Sequence, residues 1–222
     1  MSEQLSFDWP ARVALGREDF FVSEANARAF ATVTAPDSWP EGKLAVVGPK
    51  GSGKTHLARV FAQANAAMIL NAADLTPASP LPEARAVVIE DVERLSPEAE
   101  EWLFHLHNAL KGRGRLLLTS DRAPARWQIA LPDLASRMQA TNLVTIDDPD
   151  DRLLSAVIMK QFQDRQIAPS PGLATYLAAR IERSFAAAAD VVDRIDRAAL
   201  ARSRKVNEAL AREVLDNTPD AG

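Results

Sequence analysis

Short, continuously apolar runs alternate along the chain with longer segments whose apolar residues recur every three or four positions. The runs at 44–47, 67–70, 86–89, 116–118 and 143–146 read as five strands. Runs apolar on both faces predict strands buried in a parallel sheet with helices above and below. Between them the pattern predicts a helix over 23–34 capped by Ser23 and another from about Lys54 to Asn65. Pro and Gly between 35 and 42 mark a loop. Ser96, Pro97 and Glu98 open a further helix: an N-cap, a proline in the first turn and an acid at the positive end of the dipole. Trp102, Leu106 and Leu110 give that helix one apolar seam, with Leu103 beside it, and Gly112 and Gly114 end it.

After Ile146 the strand pattern stops. Asp148 and Pro149 open one helix, Ser170 and Pro171 a second, and Ser184 a long third; a turn near Ser203 leads into a fourth over 206–215. The expected fold is α/β: a parallel five-stranded sheet sandwiched by helices, followed by a small all-helical lid. The divisions are a tail at 1–10, a base at 11–147 and a lid at 148–222.

Composition changes this picture little. The 222 residues carry a net charge of −4, with 47% hydrophobic and 25% charged residues, ordinary for a globular protein and opposed to a broadly basic nucleic-acid grip. There is no cysteine, which excludes disulfides and thiolate zinc sites. No apolar run approaches the ~18 residues of a membrane helix, and the first residues lack a secretory pattern, so a cytoplasmic protein is expected.

The chemistry starts at Gly48, Pro49, Lys50, Gly51, Ser52, Gly53, Lys54 and Thr55, which fit G-x-x-x-x-G-K-[ST] between an apolar strand and a helix. In such a loop the glycines let backbone N–H groups turn inward onto phosphate oxygens, and the helix N-terminus adds its dipole. Lys54 reaches the β- and γ-phosphates, and Thr55 offers its hydroxyl to Mg2+. Glu90 and Asp91 close the third strand, where carboxylates beside a phosphate loop hold Mg2+ and orient water. Being adjacent, they point to opposite sides and divide those tasks. Thr119 and Ser120 close the next strand, within reach of a γ-phosphate or the attacking water. His105 and His107, two apart on a helix, do not share a face and make no metal pair. Arg194, Arg197, Arg202, Arg204 and Lys205 are interleaved with Asp193, Asp196 and Glu208 and read as a solvated face.

Together these residues resemble the AAA+ replication-initiator family of DnaA, and more closely its shortened Hda relatives, over nearly the whole chain. The segment from Phe20 to Asn26 resembles the one that borders the adenine, which implies nucleotide contacts for Phe21 and Val22 alongside His56. The run from Ile89 to Leu95 resembles the Walker B stretch, that from Leu118 to Pro124 sensor 1, and Leu134 to Met138 the segment carrying an arginine finger, which would be Arg137. Glu90 stands where the family usually has Asp, and Ala187 where the sensor 2 arginine belongs; Arg183, one turn away, is the nearest replacement. Gln4, Leu5, Ser6 and Phe7 resemble the peptide by which Hda binds the polymerase III sliding clamp, Leu5 and Phe7 entering an apolar groove and Gln4 supplying hydrogen bonds.

The resemblance implies ADP or ATP with Mg2+ as cofactors, weak intrinsic ATPase activity, and the clamp and DnaA as partners, with a homodimer open. The chain ends soon after the lid, leaving no room for the initiator's helix-turn-helix domain, so no sequence-specific DNA binding is expected. Two functions follow. One is a clamp-loaded regulator that promotes hydrolysis of ATP on DnaA and so restrains initiation. The other is a nucleotide-sensing clamp adaptor with little hydrolysis.

Overall fold

The computed structural model describes residues 20–216; the tail Gln4, Leu5, Ser6 and Phe7, expected to bind the clamp, lies outside them. Strands β1 (Lys43–Val47), β2 (Met68–Asn71), β3 (Ala86–Glu90), β4 (Arg115–Ser120) and β5 (Asn142–Thr145) form one sheet in the order β2-β3-β4-β1-β5. Every pairing is parallel, so all strand C-termini share one edge. Alternation sends Leu44, Val46, Val88, Leu117 and Val144 to one face, against α1 (Ala27–Val33) and α2 (Lys54–Asn65). Ala45, Val87, Ile89, Leu116 and Leu118 face the other way, onto α3 (Glu100–Ala109) and α4 (Pro132–Gln139). The expected seam of α3 is buried: Trp102, Leu103, Leu106 and Leu110 all enter that second core.

Three sequence expectations change. β2 is not interior: it ends the sheet, and Met68 and Ile69 are 46% and 37% exposed. Local apolarity does not distinguish an edge strand from a central one. The first helix begins at Ala27, not after Ser23. Buried Asn26 takes the Ser23 amide on Oδ1 (2.8 Å) and donates Nδ2 to the Phe21 carbonyl (2.9 Å), holding the preceding residues in a turn. Ser96 makes no side-chain cap; a single 3-10 turn, Pro97–Ala99, precedes α3.

Among the described residues four helices follow the sheet: α5 (Asp151–Asp164), α6 (Leu173–Ala178), α7 (Phe185–Arg202) and α8 (Glu208–Asp216). Asp150 caps α5 through the Leu153 amide (2.8 Å) and Ser184 caps α7 through the Ala187 amide (3.0 Å). α6 starts after Gly172, two residues beyond Ser170. Leu154, Ile158, Phe162, Leu177, Val192, Ile195 and Leu210 form a core of their own. Leu153 and Phe185 turn instead into the core shared with α2, which brings the starts of α5 and α7 against the phosphate loop. Among the cations of α7 and beyond, Arg194 pairs with Asp190, Arg197 with Asp193, and Arg202 and Arg204 both with Glu213. No helix among the described residues is long and apolar enough to cross a membrane.

Candidate functional site

The loop at 48–53 leaves the end of β1, in the interior of the sheet. Gly51 and Gly53 adopt φ of 85° and 97°, the left-handed region open to glycine, and Gly53 is the N-cap of α2. A Cβ on Gly48 would lie 2.7 Å from Ser52 Oγ and 3.0 Å from Ile146 Cβ, so the loop folds onto the chain after β5. Lys54 Nζ donates to the Gly48 (2.8 Å) and Pro49 (3.0 Å) carbonyls. Burial pulls its pKa below that of an ordinary lysine, against the carboxylates of Glu93, Asp91, Asp121 and Glu90.

Strand parity separates the neighbouring candidates. Glu90 lies on the α2 side with Val88, and Thr119 on the same side with Leu117. Asp91 turns the chain out of β3 at φ 54°, a conformation uncommon for a side-chain-bearing residue, and its amide donates to Thr119 Oγ1 (3.3 Å). Ser120 belongs to the opposite face: its hydroxyl accepts from Trp127 Nε1 (2.9 Å) and the Arg122 amide (3.2 Å). The structure therefore joins Asp91 with Thr119 and ties Ser120 to Trp127. Ser52 Oγ, Glu90 Oε1 and Glu93 Oε2 are buried without a hydrogen-bond partner, a costly arrangement unless a ligand or water completes it.

These elements open into a cavity of about 720 Å3 lined by Lys50, Gly51, Ser52, Gly53, Lys54, Thr55, His56 and Asp91. That volume lies within the range of small-molecule sites. Phe20 and Phe21 form one wall; Phe20 stacks on Phe30 at 5.4 Å and meets the His56 ring edge-on at 5.2 Å. Val22 is 46% exposed and takes no part in the lining. The opposite wall is α5, through Leu153, Val157, Lys160 and Asp164. Ala187 sits in the first turn of α7 and carries no charge; Arg183 is held by Asp151 in a two-pronged pair at 2.7 and 2.8 Å, with both side chains mostly exposed. Lys160 is the cation of the α5 wall, itself paired with Asp164 at 2.7 Å. Phe20, Asn26, Arg59, Glu93 and the α5 face were not singled out by sequence reasoning. Phe20 and Asn26 bound a segment that was recognised, and the α5 residues recur at helical spacing from Leu153, but nothing local says which stripe of a helix meets a cavity.

Arg137 stands elsewhere. Its guanidinium lies 4.7 Å from the Phe104 ring centroid and Nη1 lies 3.4 Å from His107 Nδ1, both on α3. Glu100 fixes the approach to α4 by accepting the Ala130 (2.9 Å) and Leu131 (2.7 Å) amides. His107 is buried, and burial, followed by the charges of Lys43 and Arg137, pushes its pKa down to about 4. Lys43 begins β1, whereas the phosphate loop follows its end. Four residue steps at about 3.3 Å separate those ends by roughly 13 Å, so Arg137 stands at the far end of the sheet from its own loop.

No family model matches the chain. An uncharacterized protein of Haemophilus influenzae is 27% identical over 186 residues, 76% of this chain and 79% of that protein. Among solved structures, domain III of the Thermotoga maritima replication initiation protein DnaA aligns with a TM-score of 0.71 at 18% identity, covering 94% of this chain and 98% of that one. The Thermotoga maritima RuvB Holliday junction branch migration motor gives 0.64 at 16% identity, over 91% and 72%. AMPPCP-bound DnaA from Aquifex aeolicus gives 0.62 at 18%, over 84% and 66%. These likenesses show the α/β fold with its five parallel strands to be the fold of those DnaA and RuvB structures.

Proposed function

We propose that this chain is a nucleotide-binding regulator of replication initiation that binds the sliding clamp through Gln4, Leu5, Ser6 and Phe7 and promotes hydrolysis of ATP held by DnaA. The 48–55 loop and the cavity beside it take an adenine nucleotide, ADP or ATP, as DnaA of the same fold takes AMPPCP. Mg2+ is held by Thr55 with Glu90 or Asp91. Among the described residues no group of three His, Asp or Glu side chains is placed to hold a metal alone. The ion then draws its other ligands from phosphate and water, the habit of Mg2+, and the orphaned Glu90 Oε1 suits that role. Asp91 polarises water, with Thr119 beside it.

The observation that carries the regulatory reading is the place of Arg137: outside its own cavity and braced on α3, it serves as a finger for nucleotide on another chain. Such a finger contributes about 10³–10⁵ in rate in GTPase systems. The test is ATP hydrolysis by purified DnaA with this protein, clamp and DNA added in turn. Hydrolysis should rise only with all components present, and Arg137→Ala should remove the rise.

A second reading is a nucleotide-sensing clamp adaptor. Ala187 in the sensor 2 place, with Arg183 committed to Asp151, leaves that place without a cation and supports little hydrolysis. An adaptor tolerates Arg137→Ala, which separates the two readings.

A further inference from the structure

Arg137 is a long side chain on a surface helix, and a finger is useful only when its guanidinium already points the right way. Two contacts on α3 restrict it. The Phe104 ring lies under the guanidinium at 4.7 Å, within cation–π range. His107 Nδ1 lies 3.4 Å from Nη1, on the next turn of the same helix. A guanidinium has donors only, so the imidazole nitrogen facing it must be the unprotonated one.

We propose that His107, with Nδ1 as acceptor and its proton on Nε2, is the positioning residue of Arg137, holding the guanidinium over Phe104 for action on a partner's nucleotide. The inference rests on the finger role proposed above. Three features agree. His107 is only 4% exposed, so its ring cannot swing away as a surface histidine would. Burial and the neighbouring cations keep it neutral at physiological pH, the form that accepts. Glu100 pins the start of α4, so the two helices that carry the pair are tied independently of it.

The experiment compares DnaA-stimulated hydrolysis for the full chain with His107→Leu, His107→Asn and Arg137→Ala. Leu fills the space without an acceptor; Asn can place an oxygen near the Nδ1 position. His107→Leu should lower stimulation by up to about a hundredfold, the cost of misplacing a catalytic group by about 1 Å, with nucleotide affinity unchanged, and His107→Asn should restore most of it. Full stimulation by His107→Leu while Arg137→Ala is inactive overturns the positioning role and leaves the finger. Full stimulation by Arg137→Ala removes the finger and this proposal together. Long-range proton–nitrogen NMR on the unmodified protein reads the tautomer directly, whatever the variants do to folding. An Nε2–H ring supports the contact, and an Nδ1–H or doubly protonated ring at neutral pH overturns it.

Discussion

Acid should destabilise this fold through His107 in particular. Its folded pKa of about 4 lies below the ordinary value of 6.5, so the unfolded chain takes up a proton first. Stability from this residue is therefore complete above about pH 6.5 and is lost as pH falls towards 4. The whole drop corresponds to roughly 3 kcal/mol at most, and at pH 5 to about 2 kcal/mol. The cause is local: a proton on His107 would place a further positive charge in a buried spot that already faces Lys43 on β1, Arg137 on α4 and Lys111 beyond α3, with Glu41 the nearby carboxylate. Urea unfolding of the natural chain and of His107→Leu, from about pH 7.5 down to about pH 5, isolates the effect. Carboxylate titration is common to both and cancels in the difference. The advantage of the histidine protein should shrink by about 1.4 kcal/mol per pH unit once well below pH 6.5. A difference that stays constant with pH would refute the reasoning.

Two further outcomes follow from the geometry. Lys54→Ala should weaken nucleotide binding at least tenfold, about 1.4 kcal/mol, in a titration with a fluorescent adenine nucleotide, because it removes the buried cation of the cavity; unchanged affinity would place the phosphates elsewhere. Glu100→Ala should cost roughly 2–3 kcal/mol in urea unfolding, since the part-buried Ala130 and Leu131 amides lose the buried, charged acceptor they share; a loss within ±0.5 kcal/mol, the range of ordinary surface changes, would count against that bridge.

The phosphate loop was legible because its chemistry is local. Eight consecutive residues carry the turn, the lysine and the hydroxyl, and a strand and helix flank them. α2 runs over Lys54–Asn65, as the periodicity predicts, because one glycine fixes its start. What sequence could not give was placement across the fold. Glu90 and Asp91 were expected to diverge by strand parity, but Asp91 leaves the strand at a positive φ, which aims its amide at Thr119. Ser120 is adjacent to Thr119 and equally polar, yet its partner Trp127 comes from a later turn. Val22 neighbours Phe21, yet it is exposed to solvent while Phe21 lines the cavity. The spacing of His105 and His107 speaks only against a metal pair; that His107 is buried and faces Arg137 depends on two helices meeting thirty positions apart in sequence.

The layout also explains why holding a nucleotide and promoting hydrolysis need not be properties of one chain. In a parallel sheet the strand C-termini gather the loop, the carboxylates and Thr119 at one edge. Arg137 is carried by the end of α4, close to the start of β1, because α4 runs back across the sheet before β5 begins. No side-chain rotation spans roughly 13 Å of strand. The cations around its own cavity come instead from α2 and α5, through Lys54, Arg59 and Lys160, while Ala187 offers none and Arg183 is taken by Asp151. On this reading Lys54→Ala removes what the chain holds, Arg137→Ala removes what it does to a partner, and the two losses separate in assays of binding and of stimulated hydrolysis.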